Sequence, residues 1–551
     1  MGKNGRLFGT LDPFYEGGGV LGRRVANSGF LAALLAADPF AAYHFFCADE
    51  AARTNLARTL KARHPGLFAA GRLVCRHRLE LPAALSRGGY HVFHLSDCLT
   101  HQPRLAAARN RFARDIFPIT GPIHSLSRTG YPAAFLAHLW PGTTARDAVV
   151  CTSTAGRAAV AGFFAALRRG YGLSPEAFPQ PATPLIPLGV DVPANAPPAS
   201  GERAAARAGL ALPEATAMVL VLGRLSHHSK MDLLPVLKAF GRLFAAGLPR
   251  CAVRLVLAGW TQPDDDLSAT LANLAANMGL DLAIVPRPDG PAKRALLAAA
   301  DVFCSVPDNP QETFGLTVAE AGACGLPAVV ADFDGYRDLV VHEETGLLVP
   351  TLGPDQSAEV DALAPLLIDN QYHLLLSQRT AVDVAALAES LLRLITEPEL
   401  RAHLGRAARA RIEARFSWPA VIQAHLELWD DLWRAPVDEA RARAAVHPLG
   451  LCFADVFAAY PTERFDPGMM LAASRAGQAV ARGQEFPVIY AGLTGRIEAE
   501  SLRALCVLCR KPLPAGEAAG RLQAALSGLG AEAAQAYVLF ALKHDLLERR
   551  R

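Results

Sequence analysis

Long hydrophobic runs are missing from this chain of 551 residues. Nowhere do about eighteen apolar residues follow one another. The best stretch, FLAALLAADPFAAYHFF (30–46), is broken by Asp38 and Pro39, so no membrane-spanning helix is expected. The opening MGKNGRLFGTLDPFYEGGG has no apolar segment of the kind a secretory signal needs. Arg6 stands where N-myristoylation calls for Ser or Thr. The chain is therefore expected to be cytoplasmic, at most peripheral to the inner face of a membrane. Disulfide spacing is also missing: ten cysteines are scattered, and only Cys506 and Cys509 make a C-x-x-C, which fits reduced thiols. A net charge of +3 is too small to argue for nucleic acid. Repeats of fixed period and low-complexity blocks are absent. With 51% apolar and 19% charged residues, the composition excludes a disordered chain.

What is present is alternation. Short apolar runs at 72–78, 90–97, 117–126 and 147–153 are separated by Ala/Leu-rich helical sequence, the pattern of βαβ units on a parallel sheet. A Pro-rich stretch, TPLIPLGVDVPANAPPASG (183–201), reads as a linker. A second series comes after it at 215–223, 254–260, 280–286, 301–306, 327–332 and 346–350. Two α/β halves joined by a hinge imply a cleft, and ligands of such sheets sit beyond the carboxyl ends of the strands. Residues 383–434 turn helical, and 447–551 form a separate Ala/Leu-rich tail with three expected helices, turning at Pro512–Pro514 and Gly528–Gly530.

QETFGLTVAEAGACGLPAVV (311–330) places two glutamates, Glu312 and Glu320, in an otherwise nearly uncharged stretch. One reading is local: Thr317 and Glu320 have the spacing of a capping box. It leaves Glu312 unexplained, a loop carboxylate ahead of a helix N-terminus, where hydroxyl-rich ligands could be held.

The longer segment DNPQETFGLTVAEAGACGLPAVVADFDGYRDLV, followed by HEETGLLVP, resembles the donor-site signature of the family-four retaining glycosyltransferases. The resemblance, which covers about residues 1–434, implies a GT-B fold, with two Rossmann-like domains (1–190 and 191–434) facing across a cleft and a helix crossing back to the first domain. Apart from it, the ending FALKHDLLE makes 447–551 similar to a helical, winged-helix-like extension. The family resemblance matches Glu-x7-Glu with Glu312 on hydroxyls of the transferred sugar and Glu320 on the ribose of a nucleoside-diphosphate sugar. The backbone from Thr313 through Phe314 and Gly315 to Leu316 would contact sugar and phosphate. VLVLGRLSHHSKMD (219–232) is similar to the family's cationic segment, so Arg224 and Lys230 would neutralise the departing diphosphate, although Met231 replaces the usual glycine. Gly17, Gly18 and Gly19 match the family's glycine-rich loop, and His124 its sugar-facing histidine. No metal or other cofactor is implied, and His94, Asp97, Cys98 and His101 have no established zinc spacing.

The implied activity is transfer of a sugar with retention to a glycan, lipid-linked or other acceptor, without metal. The alternatives are a phosphorylase or epimerase of the same fold, or an inert binding protein. Arg53, Arg58, Lys61, Arg63, Arg72, Arg76 and Arg78 run without an acid between them. They suit either a solvated helix or contact with anionic lipid. For the tail, protein docking or self-association is expected, and nucleic-acid binding is not.

Overall fold

Apolar runs of four to seven residues, ended by polar or turn-forming residues, become the strands of two parallel sheets. The first sheet comprises β1 (Leu7–Thr10), β2 (Ala42–Cys47), β3 (Leu73–His77), β4 (Tyr90–His94), β5 (Ile119–Pro122) and β6 (Asp147–Val150). The second comprises β7 (Ala217–Leu222), β8 (Val253–Gly259), β9 (Asp281–Pro286), β10 (Val302–Ser305), β11 (Ala328–Ala331) and β12 (Gly346–Val349). This computed structural model describes residues 5–16, 22–261, 266–493, 495–526 and 528–550. The chain divides into two compact units, Met1–Gly450 and Leu451–Arg551.

Both sheets have one topology. The orders are β3-β2-β1-β4-β5-β6 and β12-β11-β10-β7-β8-β9, so strand order reverses between β1 and β4 and again between β7 and β10. Side chains along β7 alternate, Val219 and Val221 entering one apolar cluster and Met218, Leu220 and Leu222 the other. Every residue of β7 is buried, as a strand covered by helices on both faces must be.

Four helices bear on the site and on how the two halves are joined: α1 (Gly22–Ala37), α2 (Gly290–Ala299), α3 (Leu316–Ala323) and α4 (Trp418–Arg434). The stretch 30–46 resolves into the end of α1, a turn with Asp38 at φ 48°, and strand β2. Arg72 clamps that turn, reaching both Asp38 carboxylate oxygens at 2.7 and 2.5 Å. The basic stretch is not one cationic face. Arg76 pairs with Glu80, Arg78 bonds the Leu11 and Phe46 carbonyls, and Arg53, Arg58, Lys61 and Arg63 remain exposed. Among the described residues, no helix is long and apolar enough to cross a membrane.

The Pro-rich stretch begins as an added parallel rung on β6, with the Cys151 and Ile186 amides bonding the Pro184 and Cys151 carbonyls at 2.8 and 2.9 Å. It then pairs Val190 with the Phe416 carbonyl just ahead of α4. α4 comes after the second sheet in sequence but packs on the first. Its Trp429 is fully buried with Phe8, Phe40 and His94 around it, and donates its indole N–H to Thr120 Oγ1 at 3.1 Å.

Considered by itself, the Leu451–Arg551 unit contains the three expected helices (Ala499–Leu508, Ala515–Ala525 and Ala531–Lys543) and, among its described residues, two shorter ones, Phe453–Val456 and Arg475–Ala481. An antiparallel sheet, with Met470–Ala473 between Leu513–Pro514 and Leu547–Arg549, was not expected. Its strands of two to four residues are too short to leave a period in the sequence. Cys506 and Cys509 are both buried in its core, and burial pushes their thiols up to about 11 and about 12.

Replacing Trp429 with Ala should cost about 3–5 kcal/mol, the usual loss for a large buried aromatic. Urea unfolding followed by circular dichroism measures it. A loss below about 1 kcal/mol would mean that α4 does not anchor the first sheet.

Candidate active site

The reversal between β7 and β10 leaves a crevice at their carboxyl ends, and the loops leaving these strands carry the charged groups picked out in the sequence. Arg224 and Lys230 come after β7; Glu312 comes after β10 and precedes α3. Lys230 Nζ bonds Glu312 Oε2, and both side chains are nearly buried, 12% and 13% exposed. The second carboxylate oxygen, Oε1, accepts the Thr313 and Phe314 amides, each at 3.2 Å. Burial works against both charges. On Glu312 it is outweighed by the Lys230 ammonium and the two amides, which hold the carboxyl below its ordinary range. Burial likewise lowers Lys230, but the Glu312 charge and Tyr336 overcome it and raise the ammonium.

Arg224 lies beside this pair. Burial lowers its pKa, and the Glu312 carboxylate opposes that. No hydrogen bond or ion pair engages its guanidinium among the described residues. A half-buried, unpaired guanidinium next to an ammonium already shared with a carboxylate is a site for an anion.

Glu320 is not spent on a capping box. The cap of α3 is Gly315, at φ 104°, which makes Thr317 part of the first turn and leaves its buried hydroxyl without a partner. The helix cannot start with another residue at 315, because a Cβ there would strike the ring of Tyr336. Glu320, 8% exposed, instead accepts Lys293 Nζ from the first turn of α2 at 2.6 Å. Leu316 opens α3 and Phe314 is buried against Phe416. Hence Arg224, Lys230, Glu312, Thr313, Phe314 and Gly315 on loops, and Leu316 and Glu320 in α3, lie at the carboxyl edge of the second sheet.

His124 comes after β5, at the carboxyl edge of the first sheet. Its Nε2 donates to the Ser96 carbonyl at 2.8 Å, and burial pushes the ring down to about 4. The imidazole is therefore neutral near pH 7 and offers Nδ1, an acceptor, for any further bond. Gly17, Gly18 and Gly19 lie outside the described residues. The His94, Asp97, Cys98 and His101 grouping does not converge: His94 bonds Thr120 Oγ1, while Asp97 accepts the Leu99 and Thr100 amides.

Four residues that matter here were not picked out in the sequence. Tyr336, after β11, receives Lys230 Nζ at 3.1 Å and shares a 2.9 Å bond with Ser305 Oγ. Lys293 holds Glu320. His373, on the helix Asp369–Ser377, takes a bond from Gln311 Nε2 at 2.6 Å and reaches the Ser127 carbonyl at 3.2 Å, tying the loop of Glu312 to the first half. Asp334 accepts Ser153 Oγ at 3.3 Å, and nearby Asp338 accepts the Thr154 amide and hydroxyl, so the 334–338 segment meets the start of the helix after β6. None stands in a spacing that sequence periodicity registers.

The description "Glycosyl transferases group 1" belongs to a family model that matches residues 202–380. The D-inositol 3-phosphate glycosyltransferase of Saccharomonospora viridis is 32% identical over 273 residues, 49% of this chain and 53% of that one. The enzyme of the same name from Xylanimonas cellulosilytica is 31% identical over 307 residues, 53% of this chain and 67% of its own length. The chain thus spans about half the length of the first of these relatives. Among solved structures, Anabaena HepE in complex with UDP and glucose aligns with a TM-score of 0.51 at 17% identity, over 77% of this chain and 99% of that one. At that identity the likeness is one of fold: GT-B.

Burial, and next the Glu312 charge, push Asp334 up to about 7. The folded protein thus keeps a proton that the unfolded chain has lost, and Asp334 costs stability progressively as pH rises from about 4 toward 7, then levels off. Asn tolerates the left-handed backbone at this position, φ 47°. Asp334→Asn should therefore raise the melting temperature little at pH 5 and by its full amount at pH 8. A difference that stays constant over that range would contradict the assignment.

Proposed function

The chain belongs to the glycosyl transferases group 1, and from that premise we propose that it moves a glycosyl unit from a nucleoside-diphosphate sugar to a hydroxyl acceptor, with retention and without a metal. The observation that carries the reading is the cluster at the β7–β10 reversal, where Arg224 and Lys230 stand beside Glu312, just ahead of the helix α3 that carries Glu320. Departure of a nucleoside diphosphate leaves two developing charges. Preorganised cations in a crevice that excludes water stabilise that charge most strongly. Glu312 takes hydroxyls of the sugar, Glu320 the ribose hydroxyls, and the first amides of α3, free of intrahelical partners, face the anion. Retention here needs no covalent glutamate: the leaving phosphate helps deprotonate the acceptor on the same face, and Glu312 positions the donor.

The contacts of Ser153 with Asp334 and of Ser127 with His373 join the two halves where a donor would be enclosed, which keeps water from hydrolysing it. The acceptor side belongs to the first half, where His124 presents a neutral acceptor nitrogen. The relatives named for D-inositol 3-phosphate support a polyol or sugar acceptor for this chain as well.

A thermal-shift screen with UDP-, GDP-, ADP- and dTDP-sugars tests the reading on wild type and Glu320→Gln side by side. A donor at a hundred times its dissociation constant stabilises by about 2.7 kcal/mol, a rise of several degrees. One donor is expected to shift the wild type and to shift Glu320→Gln much less. If no donor shifts a folded wild type, or the variant responds equally, the reading fails.

A further inference from the structure

The Lys230 ammonium has three hydrogens to donate, and the structure provides two acceptors of unlike character, the Glu312 carboxylate and the neutral Tyr336 hydroxyl. Glu312 neutralises the lysine. Tyr336 holds its tip without neutralising it. Lysine can only donate, so the Tyr336 oxygen accepts there, and its own proton goes to Ser305 Oγ at 2.9 Å. Burial pushes the phenol up to about 12, so it keeps that proton across the physiological range. The ring cannot drift. It is fully buried, it lies beneath the Gly315 turn that starts α3, and Lys230 Nζ stands 5.6 Å from its centroid. Ser305, at the end of β10, is buried as well.

We propose that Tyr336 is a positioning residue for donor binding: with Ser305 behind it, its hydroxyl keeps the Lys230 ammonium at the crevice while the charge passes from Glu312 to the distal phosphate of a nucleoside diphosphate. This rests on the transferase reading. In the free protein Lys230 is shared between Glu312 and Tyr336. When the diphosphate arrives, the ammonium turns about its bond to Tyr336, and Glu312 is released to take sugar hydroxyls. Without the phenol hydroxyl, the acceptor left to the lysine among the described residues is Glu312. The ammonium then stays on the carboxylate, and both phosphate and sugar lose a partner. Tyr336 itself touches neither.

The test compares affinity for a diphosphate and its monophosphate, because only the diphosphate brings the distal phosphate to Lys230. Binding of UDP and UMP, with the ADP/AMP, GDP/GMP and dTDP/dTMP pairs alongside, is titrated into the full chain as wild type, Tyr336→Phe and Ser305→Ala. Phe keeps the ring that packs under Gly315. For the diphosphate that binds wild type, Tyr336→Phe should weaken affinity roughly tenfold, the size of a lost hydrogen bond to a charged group. Ser305→Ala should act in the same direction and less, while affinity for the monophosphate changes under about twofold in both. Equal weakening of diphosphate and monophosphate would mark Tyr336 as merely structural and overturn the proposal, as would unchanged diphosphate affinity. Should Tyr336→Phe fail to fold, the Ser305→Ala ratio decides alone. A wild type that binds no diphosphate removes the transferase reading and this proposal together, whereas a binding wild type with unaffected variants removes only the proposal.

Discussion

A buried ammonium and a buried carboxylate side by side, Lys230 and Glu312, set the terms for everything else at the carboxyl edge of the second sheet. Taking two such charges out of water costs several kcal/mol per ion, and the cost is offset only where every remaining donor and acceptor is engaged. Here two backbone amides cover Glu312, and Tyr336 with Ser305 behind it takes a second hydrogen of Lys230, which leaves the third ammonium hydrogen open among the described residues. Removing one member alone would strand the other. The pair is held, yet it is held in a form that another anion can enter, because Arg224 lies next to it with no partner of its own among the described residues. The proposed transfer requires such a place, one that takes in a sugar diphosphate and gives the diphosphate back.

The fold supplies that place by strand order. A sheet that begins at β7 and reverses at β10 separates two adjacent loops, so residues 224–230 and 308–320 meet across a gap at the carboxyl edge. The turn at Gly315 starts α3 early and points its free amides at the same gap. α2 contributes Lys293 to Glu320 from the far side. In the first sheet the equivalent reversal, between β1 and β4, is overlaid by α4, whose Trp429 and Trp418 fix α1 and the segment around Gly189. Because α4 belongs to one half in sequence and to the other in packing, it joins the two sheets into one unit.

The second sheet was legible because its strands are unbroken apolar runs that stop at Gly, Pro or Asp, as in AMVLVLG and DVFCSV. β1 and β2 were not. LFGT is too short to show a period, and β2 comes so soon after α1 that the two read as one apolar stretch with a break at Asp38. At the site, Glu312, Glu320, Arg224 and Lys230 were found because they stand within two short segments that resemble a family. Tyr336, Lys293, Asp334 and His373 were not found because only the topology brings them in: Tyr336 is 106 residues from Lys230 and His373 is 62 from Gln311. The capping-box reading failed for a local reason. Thr317 and Glu320 have the right spacing, but a left-handed glycine two residues earlier already begins the helix. The basic stretch misled in the opposite way, since Arg72, Arg76 and Arg78 are turned inward or paired by sheet and turn geometry that charge counting does not register.

The central claim is that Lys230 is shared by Glu312 and the donor's diphosphate in turn, and one titration addresses it directly. A nucleoside diphosphate without its sugar is titrated into wild type, Glu312→Gln and Lys230→Met by calorimetry. Competition requires Glu312→Gln to bind the diphosphate tighter than wild type, by roughly three- to tenfold, since removing the carboxylate frees a charge-assisted donor. Lys230→Met must bind it more weakly, and the double variant must behave as Lys230→Met does. Diphosphate affinity that falls or stays level in Glu312→Gln would mean the carboxylate does not hold the lysine back, and the exchange at the centre of the site would not occur.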